Sequence, residues 1–123
     1  SDLMDIKTFL ISPTPALSDY PLDEVANAID NPTEGNHFLD DIGDDLVGAL
    51  ELAKKYRIAN VPLDKAALEM QALVANVLAY SVEKHDPEGR MRTLSNVLNS
   101  AKVLKMIADD VRAAARELSK RKK

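Results

Sequence analysis

The densest grouping of reactive side chains in this sequence is Asp40-Asp41-Ile42-Gly43-Asp44-Asp45. Residues four apart share a helix face, so Asp40 would pair with Asp44 and Asp41 with Asp45 one turn on. Two such carboxylate pairs are a donor set for Mg²⁺, a hard ion that takes oxygen ligands and keeps several of its waters. A simpler reading needs no ion. Four aspartates in the opening turns of a helix complement the positive end of its dipole, and they form a candidate acidic patch for docking a basic partner. Other reactive groups are sparse. His37 and His85 are the only histidines; each falls at a helix boundary, with no second histidine or cysteine in register. No metal site and no cofactor are expected. No Ser–His–Asp grouping can be argued from spacing, and neither Gly43 nor Gly89 falls in a phosphate-binding loop pattern.

Residues 40–44 also read as DDxxD, the diphosphate–Mg²⁺ motif of prenyl-transferring enzymes, which need a far longer helical chain and a second acidic motif. A nearer likeness lies elsewhere. Residues 39–50 resemble the first metal helix of the small all-α nucleoside triphosphate pyrophosphohydrolases of the MazG type, with Asp41 and Asp44 or Asp45 at its acidic positions. Residues 72–80 resemble the apolar part of that family's later helix. The resemblance implies a Mg²⁺-dependent phosphohydrolase. It departs from the family at Leu73 and Asn76, which stand where the second Glu and Asp would be. Half a metal site leaves a triphosphate's charge uncompensated, so this enzyme reading stays an alternative and no catalytic residue is expected.

The positive charges gather late in the chain. Residues 1–59 carry a net charge of −8 and residues 60–123 a net charge of +4, together the −4 of the whole. Lys102, Lys105, Arg112, Arg116, Lys120 and Arg121 form a candidate basic patch, continued by Lys122 and Lys123. Phosphate contacts from such residues would make any nucleic-acid affinity salt-dependent. Without interleaved aromatics or a helix-turn-helix pattern, a nucleic-acid partner is possible but not favoured, and a charged helix end suited to the dipole is the ordinary account.

The elements that would position these groups are helices. With 123 residues the chain suits one domain. Apolar residues make up 46% but aromatics only 4%, so the core must be aliphatic, the palette of helical bundles. Cysteine is absent, which rules out disulfides and thiol ligation and points to a cytoplasmic setting. No apolar run approaches the ~18 residues of a membrane span, and no secretory signal pattern is present. Residues 1–20 read as an extended N-terminal arm: 4–11 as a single helical turn or short strand, and 12–20 as a connector set by Pro13 and Pro15. Residues 1–3, ahead of Met4, read as a cloning remnant. Residues 21–123 read as one helical-bundle domain.

Within that domain the spacing predicts a short helix over 21–30, with Val25, Ala26 and Ile29 on one face and a stop at Asn31-Pro32. The run Asn31-Pro32-Thr33-Glu34 matches a helix-capping pattern, although Gly35 and Asn36 delay the next start. A helix over 37–56 carries Leu39, Ile42, Leu46, Ala49, Ala53 and Tyr56 at helical spacing. A third, over 63–84, is apolar nearly all round between Ala72 and Tyr80, where Asn76 is the single polar residue; it is expected in the middle of the bundle with Asn76 buried. Asp86-Pro87 restarts the chain as cap and first helical residue, and a fourth helix follows over 87–119.

That fourth helix holds the most regular pattern. Leu94, Val97, Ala101, Leu104, Ala108, Val111, Ala115 and Leu118 alternate by three and four, a heptad seam. At ~1.5 Å per residue the helix runs ~50 Å, against about 35 Å across a compact domain of this size. Either the bundle is elongated, the helix bends, or a second chain covers the overhang. The expected fold is therefore an all-α up-down bundle of three main helices and a short N-terminal one, with a long C-terminal helix. The expected function is a non-enzymatic interaction or assembly module, an adaptor that self-associates through the seam as a homodimer or higher oligomer and engages a protein partner.

Overall fold

A computed structural model describes residues 22–31 and 38–121, with only the backbone of Glu24, Phe38 and Leu39. The expectations for the N-terminal arm, for the capping run at Pro32, Thr33 and Glu34, and for His37 lie outside the described residues. The fold is an all-α helical bundle. Four helices follow in order: α1 (Leu22–Asp30), α2 (Phe38–Lys55), α3 (Leu63–Glu83) and α4 (Pro87–Arg121). Each falls within two residues of its sequence-based bounds.

The helix ends show why the chain breaks where it does. Arg57, just past α2, is left-handed at φ 56°. Its N–H donates to the Lys54 carbonyl at 3.3 Å, and that of Ile58 donates to the Ala53 carbonyl at 2.8 Å. This pair of bonds is the Schellman motif, made here without the usual glycine. Ile58 then turns inward to pack on Ala49, Ala53, Ala108 and Val111. At the other restart Asp86 caps α4 as expected, accepting from the Gly89 N–H at 3.0 Å. Between α3 and α4 only residues 84–86 intervene, so the two helices close tightly. A Cβ placed on Gly89 would lie 2.9 Å from the Glu83 Cβ and 3.1 Å from its carbonyl oxygen.

The centre of the bundle is α4, not α3. Helices α1, α2 and α3 all pack chiefly on α4, which overturns the expectation that the apolar third helix occupies the middle. α3 runs antiparallel to α4. Glu83 pairs with Arg92 beside the turn, and further along Asn96 Nδ2 donates to Asn76 Oδ1 at 3.2 Å. Asn76 is half-buried rather than fully enclosed, and its own Nδ2 donates to the Ala72 carbonyl at 2.8 Å.

The main core joins Ile42 and Leu46 of α2, Leu73 and Tyr80 of α3, and Leu94 through Ile107 of α4 to Val25, Ala26 and Ala28 of α1. Each large aliphatic side chain so buried contributes about 1.5–3 kcal/mol relative to exposure. α1 is pinned by polar contacts as well. Tyr80 donates its hydroxyl to Asp30 at 2.8 Å, Lys84 reaches the same carboxylate at 3.4 Å, and Arg90 bonds Asp23 at 2.9 Å.

Two outcomes follow. Gly89→Ala should destabilise the chain by about 1–3 kcal/mol through overpacking, although alanine is the better helix former by about 1 kcal/mol; a urea midpoint that rises instead would contradict the tight turn. The Tyr80 phenol is held above its usual pKa of 10, first by burial, then by its hydrogen bond to the Asp30 carboxylate and that group's charge, with Arg90 opposing. A raised pKa means the folded state keeps the proton longer, so this contribution is complete below pH ~10 and fades as pH climbs through the folded value. Stability of Tyr80→Phe should accordingly fall less between pH 9 and pH 11 than that of the native chain, as followed by thermal melts.

Candidate interaction surface

Two apolar stripes run along α3, offset by two residues and so by roughly 200° around the axis. The inner one is Ala66, Met70, Leu73, Val77 and Tyr80, packed on the main core. The outer one is Leu68, Gln71, Ala75, Leu78 and Val82, all exposed. Leu68 is 65% exposed, Leu78 64% and Val82 78%. Exposed Leu63, Ala67 and Val74 widen this face, and no charged residue occurs between Met70 and Val82. Single exposed aliphatics are ordinary on soluble domains; here they lie together along one face of a helix. Met106 of α4 is also exposed.

The outer stripe alternates by three and four, as the α4 seam does. In the sequence the two stripes merge into a helix that is apolar nearly all round between Ala72 and Tyr80. Separating the two registers would have revealed it.

The α4 seam is closed by the chain itself. Leu94, Val97, Ala101, Leu104, Ala108, Val111 and Ala115 are all buried, and Leu118 is half-buried. α3 and α1 flank the first part, while Ala49 and Ala53 of α2, with Ile58 and Val61 of the following connection, cover Ala108 and Val111. α4 stays unbroken over 35 residues, and its seam is buried as far as Ala115. The seam is therefore not an available interface, because its apolar edge already has partners.

The acidic and basic candidates are not separate patches either. Arg112, whose side chain leans toward the helix N-terminus as helical side chains do, places Nη2 2.5 Å from the Asp45 carboxylate and 2.9 Å from the Asp45 carbonyl. Lys105 is only 1% exposed. Its ammonium bonds Asp109 at 2.9 Å, and Asp109 lies 3.8 Å from Arg112. A chain of charges, Lys105–Asp109–Arg112–Asp45, thus ties α4 to α2.

This arrangement removes Lys105 and Arg112 from the candidate basic patch, leaving half-buried Lys102 and exposed Arg116, Lys120 and Arg121. It also removes Asp45 from the acidic patch. Asp40 and Asp44 face solvent, while Asp41 is half-buried with a hydrogen-bond-free Oδ2. Among the described residues no three His, Asp or Glu side chains come together as a metal site would require. His85 is exposed in the α3–α4 turn.

Comparison with family models, curated protein sequences and solved structures finds no match to this chain. Among the described residues no helix is long and apolar enough to cross a membrane.

The buried charge chain makes an asymmetric prediction. Lys105→Met keeps the side-chain volume and leaves Asp109 partly solvated beside Arg112, so its stability should stay within about 1 kcal/mol of the native chain or exceed it. Asp109→Ala strands the Lys105 ammonium without its anion and should cost about 3 kcal/mol or more. Chemical denaturation of both variants checks the contrast; equal losses would contradict it.

Proposed function

We propose that this chain is a non-enzymatic helical interaction module, an adaptor working in a cytoplasmic setting, that binds another polypeptide through the outer face of α3. One observation carries the reading: an exposed, uncharged aliphatic stripe from Leu68 to Val82 on a helix whose opposite face is already committed to the core. Covering it gains about 25 cal/mol for each Å² of apolar area withdrawn from water and buries no ionised group, which would otherwise carry a heavy desolvation cost.

A pattern of three and four suits one partner above others, an amphipathic helix laid along α3. The α4 seam supports the reading from the other side. Because it is satisfied within the chain, α3 can present a surface without unfolding anything.

The test is a photo-reactive amino acid placed at position 78 of the full chain in its native cell, with the same group at exposed Glu51 as control. Position 78 should yield discrete covalent adducts with a polypeptide, and position 51 should yield few. The addition of Leu68→Lys should abolish the adducts while leaving the melting temperature within a few degrees, because Leu68 holds little buried area. Equal labelling at both positions, or none at position 78, would overturn the proposal.

A further inference from the structure

We infer that α1 is a releasable strap, latched at Asp30. It leaves the bundle as a unit while α2, α3 and α4 stay folded, and so uncovers a helix-sized seat between the end of α3 and the start of α4. The inference does not depend on the outer face of α3.

α1 cannot keep its shape alone. Its 9 residues fall short of the ~12–15 at which an isolated helix becomes even marginal in water, so it is helical only while docked. Its apolar hold is narrow. Among its described side chains only Val25, Ala26 and Ala28 are buried, with Leu22 and Ile29 packed partly buried beside them. One valine and two alanines withdraw little apolar area from water, whereas docking fixes the backbone of the whole segment.

The ion pairs at its two ends are of the weak kind. Arg90 bonds Asp23 at 2.9 Å, but the Asp23 side chain is 88% exposed. Lys84 reaches Asp30 at 3.4 Å, with both side chains 36% exposed. Pairs this open contribute little, because water and salt screen them. Tyr80 is different. The residue is buried, and its hydroxyl donates to the Asp30 carboxylate at 2.8 Å. Without that carboxylate a docked α1 would cover a phenol that has lost its acceptor. Asp30, which accepts from both Tyr80 and Lys84, is therefore the latch.

The seat beneath α1 has a definite chemistry. Glu83 pairs with Arg92 and Asn76 with Asn96, so the antiparallel register sets Tyr80 level with Leu94. Tyr80 and Lys84 border the seat on α3, and Arg90 borders it on α4. Asp23 and Asp30 stand seven residues apart, two turns of helix. The seat thus fits an amphipathic helix with carboxylates at that spacing and small apolar side chains between them, and α1 is the occupant that the chain itself supplies.

The chain has no cysteine, which permits a thiol-accessibility test on the full chain. Ala28→Cys reports on α1 and Ala101→Cys on the core of α4. Cys at 28 should react with a soluble aromatic disulfide at least about 100-fold faster than Cys at 101, as expected of a local against a global opening. Its rate should also stay nearly flat in urea below the unfolding transition, because releasing α1 exposes little surface; the rate at 101 should rise steeply.

Two further substitutions separate the openings. Asp30→Ala should speed the reaction at 28 about tenfold by removing the latch. Val111→Ala, in the part of α4 covered by α2, should speed the reaction at 101 severalfold and leave that at 28 within about twofold, since strap release does not disturb its packing. Amide exchange of the unmodified chain gives an independent reading: the amides of Ala26 to Asp30 should be far less protected than those around Leu104. Equal rates and equal urea slopes at 28 and 101, or equal acceleration of both by Val111→Ala, would overturn the strap. Equal amide protection in α1 and around Leu104 would do the same, and no acceleration at 28 by Asp30→Ala would overturn the latch.

Discussion

Everything in this molecule depends on covering one side of a 35-residue helix. Leu94, Val97, Leu98, Ala101, Leu104, Ala108, Val111 and Ala115 present a continuous apolar edge that water disfavours along its whole length. No other described helix approaches the 35 residues of α4. The solution is division of labour: α3 lies antiparallel along the first part, α1 fills in beside it, and α2 with its C-terminal connection closes over Ala108 and Val111. Alanine at 101, 108 and 115 permits this, since a helix that must share its edge with several neighbours gains from positions where backbones can come close.

The polar chemistry serves the same arrangement. Arg112 and Asp45 link α4 to α2, Tyr80 and Arg90 hold α1 through Asp30 and Asp23, and Asn76 with Asn96 links α3 to α4. Each joins elements distant in sequence. Lys105 is the costliest member, an ammonium enclosed at the helix interface and compensated by Asp109 one turn along its own helix. Such groups add little net stability but penalise alternative packings in which they lose their partners.

Much of this was legible in the sequence. Period and punctuation placed the four described helices, because Asn31-Pro32 and Asp86-Pro87 act locally through capping and backbone restriction. The burial of the α4 seam followed from its spacing. What covers the seam did not, since spacing records that a face is apolar and not which neighbour meets it. Arg112 and Lys105 read as surface cations because charge along a helix carries no mark of burial. Asp45 read as part of an acidic patch for the same reason. α3 was misplaced at the centre because two stripes two residues apart look, in a linear sequence, like one helix apolar all round. Only the three-dimensional packing separates the face that is used from the face that is spare.

The most direct test of the account is amide hydrogen exchange along α4, measured at low micromolar concentration. If the chain covers its own seam, amides around Ala108 and Val111 exchange with protection comparable to those around Val97 and Leu104, and the protection is unchanged by a tenfold dilution. Rapid exchange over the later part of α4, deepening on dilution, would mean that another molecule supplies the cover and would contradict it.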